Sequence, residues 1–303
     1  MDYTWLWIPV TIAAAAAQSG RNIIQSGLTK TLGTLGATQV RFLYGFPFAL
    51  LFLALLLWGT GDAPPALQAG FFAYALAGAA TQIAATALML AAMRERGFVV
   101  VTAWIKTEPI QVAIFGLIVL GDPFSWVSAI GIILATLGVV LLSVKPAAVT
   151  DLSVGVRPVL LGLLAGACFA LSAIGFRGAI LTLESGSFLL KASWTLTWSL
   201  GMQAGVLLAW MLIWRRDILR GCLAAWRASI SGGFLGAFAS QCWFIGFALT
   251  AAANVRTLGL VEVLFALMLS HRLSTHRISR REGLGIAIIV AGAAIVIAVA
   301  EST

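Results

Sequence analysis

Charge is scarce in this chain. Only 10% of the 303 residues are charged, whereas a soluble domain carries about 25%. No long polar run is present either, so little sequence is left for a soluble domain. The net charge of +8 would suggest nucleic-acid binding in a soluble protein, but most Lys and Arg residues here stand between apolar segments. The composition therefore predicts a membrane protein with no nucleic-acid partner.

The residues of metal sites and common catalytic motifs are also scarce. The histidines number two and the cysteines three, and no CxxC, HExxH, GxSxG or GxxxxGK[ST] pattern occurs (His271, His276, Cys168, Cys222 and Cys242). We therefore expect no metal, no cofactor, no ATP-driven step and no enzyme activity. The first four residues lack the basic region of a secretory signal, so no cleaved signal peptide is predicted.

Apolar segments fill the space that these absences leave. The chain is 61% hydrophobic, and a helix of about 20 apolar residues crosses a bilayer core. Helices are expected because lipid cannot satisfy unpaired backbone groups. The fold class predicted is an all-α membrane protein of ten transmembrane helices, with spans at 5–28, 38–58, 68–93, 98–120, 124–144, 158–181, 187–214, 228–251, 254–271 and 282–300.

The basic residues predict the orientation. Of the 19 Lys and Arg residues, 14 fall in or beside the odd-numbered connections, and Arg256 alone stands on the other side. Basic connections stay in the cytoplasm, so an inner-membrane, multi-pass protein with both termini outside the cytoplasm is predicted. The 14 are Lys30, Arg41, Arg94, Arg96, Lys145, Arg157, Arg215, Arg216, Arg220, Arg227, Arg272, Arg277, Arg280 and Arg281.

An internal repeat divides the predicted spans into halves of five helices, 1–150 and 151–303. At a constant offset of 154 residues a glutamate, a serine and two glycines recur. Five is an odd number, so the second half enters the membrane from the opposite side, and two inverted repeats are predicted. The matched pairs are Glu108 with Glu262, Ser125 with Ser279, Gly131 with Gly285 and Gly138 with Gly292.

One segment carries a family resemblance. TEPIQVAIFGLIVLGDP (Thr107–Pro123), followed by the small-residue helix from Gly131 to Gly138, resembles the ten-helix EamA-type branch of the drug/metabolite transporter superfamily. Asp122 replaces the usual Glu of that motif, and Thr275-His276 stands at the acidic position of a weaker second copy. The resemblance implies a transporter fold over essentially the whole chain. Many such transporters have cytoplasmic termini, whereas the charges here predict the reverse.

Six charged residues fall within predicted spans, where an ion at a helix centre costs roughly 3 kcal/mol or more. Arg177 and Lys191 could reach the headgroups, while Lys106, Glu108 and Glu262 lie nearer mid-span. Either the two glutamates relay a proton, or each holds two helices together; the pattern leaves both open. Arg21 completes the six, and the excess of cations favours a substrate with a carboxylate or phosphate.

Uncharged polar and aromatic residues add further candidates. Gln18, Asn22 and Gln25 form a polar stripe on the first span, which either lines a cavity or bonds to another helix. Trp194 and Trp198 share one face, either for ordinary packing or for stacking on substrate. Tryptophans near span ends are predicted as interfacial anchors (Trp5, Trp7, Trp58, Trp126 and Trp214). The predicted substrate or coupling site comprises Gln18, Arg21, Asn22, Gln82, Trp104, Lys106, Glu108, Gln241 and Glu262.

The function predicted is secondary transport, as an exporter of a small metabolite such as an amino acid or organic anion. Alternating access about a central polar cavity is the expected mechanism, with proton coupling as an option. A lipid carrier or scramblase is the alternative, which a lateral apolar opening would favour. The expected partners are a small-molecule substrate and membrane lipids, for a monomer or homodimer.

Overall fold

The structure, a computed structural model, describes residues 3–93, 104–143, 156–273 and 279–302. Every regular element in these ranges is helical. The α-helices are α1 (Trp7–Thr60), α2 (Ala69–Met93), α3 (Glu108–Phe115), α4 (Trp126–Ser143), α5 (Val156–Leu181), α6 (Phe188–Trp214), α7 (Arg216–Ala224), α8 (Trp226–Leu249), α9 (Ala252–Leu258), α10 (Glu262–Leu273) and α11 (Arg280–Ser302). A π-helix (Gly116–Leu120) follows α3, and single 3₁₀ turns form at Thr4–Leu6 and Gly259–Val261.

Seven helical segments of the described residues are long and apolar enough to cross a membrane. They correspond to the second, third, fifth, sixth, seventh, eighth and tenth predicted spans. The other three predicted spans carry Arg21, Glu108 and Glu262. In these spans polar residues lower the mean hydropathy, or the helix is interrupted. Residues 98–103 of the fourth span lie outside the described part of the chain.

Large apolar side chains cover much of the helix surface. Ile118, Val156 and Ile213 are 73%, 72% and 64% exposed, which a water-soluble protein would avoid on so many helices. This surface suits lipid, and it agrees with an integral multi-pass membrane protein. Of the predicted tryptophan anchors, Trp58 is 86% exposed, but Trp7 is only 2% exposed and packs as a core residue.

The first predicted connection is a short break, and a later one contains a helix. Within Trp7–Thr60 two helices meet at Gly33, whose φ of 67° and ψ of 175° are not helical and favour glycine, so the chain breaks between the first two predicted spans. The predicted loop after Trp214 contains α7, because its apolar and charged residues alternate with helical spacing. The basic residues at 94, 96, 145 and 277, and the pair Thr275-His276, lie outside the described residues.

The chain forms two compact units, each drawing on both sequence halves. The first comprises Met1–Ile8, Thr81–Ile174 and Thr250–Thr303. Within it α4 packs along α11 through glycines, and α9 packs on α3. Its apolar core includes Ala135, Val139, Leu260 and Ile289.

The second unit comprises Pro9–Ala80 and Gly175–Leu249. Close approaches at glycine bring its helices together: Gly233 of α8 lies against Tyr44 of α1, and Gly175 of α5 lies against Gly78 of α2. Any larger residue at these positions would separate the helices, because the nearest atoms include backbone.

Candidate functional site

A helix break places Glu108 in the first unit. Lys106 and Thr107 form a turn, and α3 begins at Glu108 with Pro109 in its first turn, where proline is tolerated. The helix is therefore broken just before this proline. The helix N-terminus has a partial positive charge, so it stabilises the Glu108 carboxylate.

Glu262 occupies the same kind of position. The 3₁₀ turn Gly259–Val261 separates α9 from α10, and Glu262 is the first residue of α10. Glu108 thus follows a turn and Glu262 follows a short 3₁₀ stretch, so each stands where the α-helical hydrogen bonding of its segment changes.

Arg256 is the functional candidate that the sequence analysis missed. It lies in the last turn of α9, and its guanidinium Nη2 is 2.7 Å from the Glu108 carboxylate. Glu108 is only 8% exposed, and Glu262 adds a further electrostatic attraction to Arg256. The prediction that placed Arg256 in an outer connection is therefore wrong, because the arginine is paired inside the protein. The signal that could have found it was a lone cation six residues before Glu262.

The first unit also contains three other predicted site residues, Lys106, Trp104 and Gln82. Lys106 is partly buried in the turn before Glu108, and no described residue forms an ion pair with it. The Trp104 side chain is 38% exposed, and its carbonyl accepts the hydroxyl of Thr107 at 2.7 Å. Gln82 is partly buried on α2.

The remaining predicted residues belong to the second unit, where they bond between or along helices. The indole Nε1 of Trp243 donates to Gln18 at 3.2 Å, and Gln241 donates to the Ser193 hydroxyl at 2.9 Å. Arg21 is buried and donates to the Asn22 side chain at 2.7 Å. Gln18 of the polar stripe therefore bonds to another helix, as Gln241 of α8 also does, and their contact with substrate stays a prediction.

The structure also places the other residues singled out in the sequence. Arg177 donates to the carbonyl of Phe247 at 2.6 Å, near the end of α8, where carbonyls lack helical partners. This bond occupies one nitrogen of the guanidinium. Trp194 and Trp198 meet edge to face at 6.5 Å, which is an ordinary packing geometry. Lys191 lies in the first turn of α6.

Helix α7 has a buried apolar side and an exposed charged side. Leu219 and Cys222 are buried on one side, while Arg216 and Arg220 are exposed on the other. At its start the Arg215 side chain donates to Asp217 at 3.1 Å, and this hydrogen bond lowers the pKa of the Asp217 carboxyl. The helix suits the surface of a membrane, with its charged side turned to water and headgroups.

Comparison with known proteins shows a family similarity. No curated protein matches the chain. A solved structure, described only as a protein crystal structure, is 15% identical with a TM-score of 0.70, covering 97% of this chain and 98% of that one. At this identity the match shows the fold alone. Residues 5–144 match the model of the EamA-like transporter family. Over these residues the chain is similar to that family of membrane transporters, in agreement with the resemblance of its Glu-Pro segment.

Proposed function

We propose that this protein is a secondary transporter of the inner membrane that exports a small metabolite bearing a carboxylate or phosphate, such as an amino acid or organic anion. The observation that carries the proposal is the buried Glu108–Arg256 pair with Glu262 beside it. Charges inside an apolar chain are expensive, and a buried pair adds little net stability, so such groups mark a functional site.

The two interrupted helices support alternating access as the mechanism. Half-helices that meet inside the membrane form the ion and substrate sites of many secondary transporters. Here Glu108 begins α3 and Glu262 begins α10, each directly after a break. A rearrangement at either break would move a carboxylate without unfolding a complete span.

The contacts between α4 and α11 support an inverted repeat of ten helices with halves 1–150 and 151–303. A Cβ on Gly131 would lie 2.9 Å from the Gly292 carbonyl, and one on Gly138 would lie 2.9 Å from the Gly285 carbonyl. At the 154-residue offset Gly131 corresponds to Gly285 and Gly138 to Gly292. Gly131 therefore contacts the residue that corresponds to Gly138, and Gly138 contacts the residue that corresponds to Gly131. Two elements related by a two-fold axis contact each other in this way.

Proton coupling is supported by the position of Arg256, a single cation that pairs with Glu108 and attracts Glu262. At the same offset Arg256 corresponds to Thr102, so the first half supplies no second arginine. A substrate carboxylate or phosphate that binds Arg256 would displace Glu108, and the released glutamate would take up a proton from water. Departure of the substrate reverses both steps, which links movement of the anion to movement of the proton.

A binding screen followed by transport tests this proposal. Detergent-purified protein is heated with amino acids, organic anions, phosphate esters and phospholipids, and a ligand of the folded state raises the melting temperature by mass action. The anion that stabilises the protein is then supplied to proteoliposomes that hold a pH-sensitive dye. We expect uptake accompanied by proton movement.

Matched variants separate coupling from folding. Glu108→Gln should lower transport and remove its pH dependence, while Glu301→Gln, at an exposed position near the end of α11, should behave as the unaltered protein. Near-normal transport by Glu108→Gln across pH would overturn the coupling role. Stabilisation by phospholipid alone would overturn the anion proposal and favour a lipid carrier.

Orientation forms a separate part of the proposal. With Arg256 paired in α9, the even-numbered connections at 61–68, 121–125, 182–187 and 250–251 contain no Lys or Arg. We therefore place both termini outside the cytoplasm. A C-terminal alkaline phosphatase fusion should be active and a C-terminal green fluorescent protein fusion dark; the opposite result would reverse the orientation.

A further inference from the structure

A cavity of about 120 Å³ lies in the first unit, apart from the Glu108–Arg256 pair. It forms where the π-helix ends, α4 and α9 begin, and α11 ends. Four polar side chains line it: Asp122, Ser125, Ser128 and Asn254. The rest of the lining is apolar and includes Leu117 and Ile132. The volume is well above the roughly 10–15 Å³ that one water needs, so a small organic group fits.

The turn before α4 holds the Asp122 carboxylate in place. Gly121 adopts a left-handed conformation with a φ of 69°, and the Asp122 N–H donates to the Gly116 carbonyl at 3.1 Å. A Cβ at Gly116 would lie 2.8 Å from Asp122 Oδ2, so the carboxylate rests directly against the glycine backbone. The position of the acid is thus determined by the backbone around it.

Asp122 is the one acidic residue among the described residues that line the cavity. No Lys, Arg or His is among the described residues that line it. Two helices begin at the cavity and two end there, so the opposite partial charges of their termini largely offset. Among the lining residues the one side chain that can carry a charge is therefore acidic, in mostly apolar surroundings, which favours a cation over an anion.

The neighbouring groups supply hydrogen-bond acceptors. Asn254 uses its Nδ2 to donate to the Thr250 hydroxyl at 3.0 Å, which leaves the side-chain carbonyl as an acceptor. Ser125 Oγ caps α4 by accepting the Ser128 N–H at 3.4 Å, and a hydroxyl oxygen has a second lone pair. A carboxylate, an amide carbonyl and hydroxyls together match the three N–H donors of a primary ammonium group.

We propose that this cavity binds a primary ammonium group on a short aliphatic chain. The ammonium lies against Asp122 and Asn254, and the chain lies against Leu117 and Ile132. The same chemistry occurs in a free alkylamine and in the ethanolamine headgroup of a phospholipid. The site shares no residue with the proposed transport pair, so either proposal can fail without the other.

The test measures the melting temperature of the full chain in detergent with increasing n-propylammonium, and separately with n-propanol of nearly the same shape. The ammonium should stabilise the protein in a saturable manner and the alcohol should not. Asp122→Asn should abolish the response. Asp62→Asn is the matched control, because Asp62 also follows a left-handed glycine, Gly61, but is exposed.

A second variant keeps the test informative if Asp122→Asn folds poorly. Asn254→Ala removes one acceptor of a charged donor and should weaken the apparent Kd about tenfold. A nanodisc arm compares phosphatidylcholine with and without phosphatidylethanolamine. An Asp122-dependent gain in melting temperature with phosphatidylethanolamine alone supports the site with the lipid as its ligand. Equal stabilisation by propanol, or a response unchanged in both variants, overturns the proposal.

Discussion

Glu108 and Arg256 should depend on each other for the stability of the first unit. The perturbation is a double-mutant cycle of Glu108→Gln, Arg256→Gln and the two together. Both substitutions keep a polar side chain of similar length while removing one charge. Glu108 is 8% exposed and the Arg256 side chain 21%, so the surviving partner stays mostly out of water in each single variant.

The structure indicates the size and order of the effects. Removing one partner of a buried ion pair costs about 3–5 kcal/mol, because the other charge is left uncompensated. Arg256→Gln should be the costlier change, because Arg256 also attracts Glu262 and its loss leaves two carboxylates without their cation. The double variant should be about 2–3 kcal/mol less destabilised than the sum of the single variants, the range expected for contacting residues.

Unfolding in detergent by added denaturing surfactant, followed by the fluorescence of the 11 tryptophans, measures these differences. Glu301→Gln provides the baseline for loss of an exposed carboxylate. Single-variant costs that add within about 0.5 kcal/mol would show that the two side chains are independent. That result would refute the reasoning from the 2.7 Å contact.

Three further outcomes follow from other contacts. Gly292→Ala places a Cβ 2.5 Å from a backbone nitrogen of α4 and should lower the free energy of unfolding by about 1–3 kcal/mol. Gly283→Ala, which has open space around it, should be neutral or stabilising. Equal unfolding curves for the two variants would contradict this prediction. Tyr44→Phe loses the 3.1 Å bond to the end of α7 and should cost about 0.5–1.5 kcal/mol in the same assay, and no change would show the bond to be dispensable. Arg215 lowers the pKa of the Asp217 carboxyl, which stabilises the folded state only while it is ionised, so this contribution is complete above the ordinary pKa of 3.8 and is lost as the pH falls through the lowered pKa. Asp217→Asn should therefore change stability little at pH 7 and less still at pH 3. A large loss of stability at pH 7 would contradict the exposure of Asp217.

Hydropathy was sufficient to predict most spans because it depends on local composition. The ends of α2, α6 and α8 agree with the predicted spans within about two residues. The first connection was predicted at 29–37, and the helices meet there at Gly33 alone. The helical α7 was not predicted, because polar residues in a connection are equally compatible with a loop. Whether such a segment becomes helical depends on packing, as where Leu219 and Cys222 of α7 are buried.

The candidate site divides in the same manner. Glu108 and Glu262 could be predicted as site residues from the sequence, because a carboxylate within an apolar segment costs free energy however that segment packs. Arg256 was missed because its role depends on a partner 148 residues away, and no local pattern encodes that distance. The bonds of Gln18 to Trp243 and of Gln241 to Ser193 also required packed helices before their partners could be named.

The sequence by itself thus determined the membrane class, the helical fold, the family motif and the costly charges, since each depends on residue type and short spacing. Tertiary structure alone decided that Arg256 pairs with Glu108, that Gly131 and Gly138 of α4 contact Gly292 and Gly285 of α11, and that Asp122 and Asn254 line one cavity. These depend on contacts between residues far apart in the chain, which form only when the helices pack to bury their small-residue faces and enclose their charges.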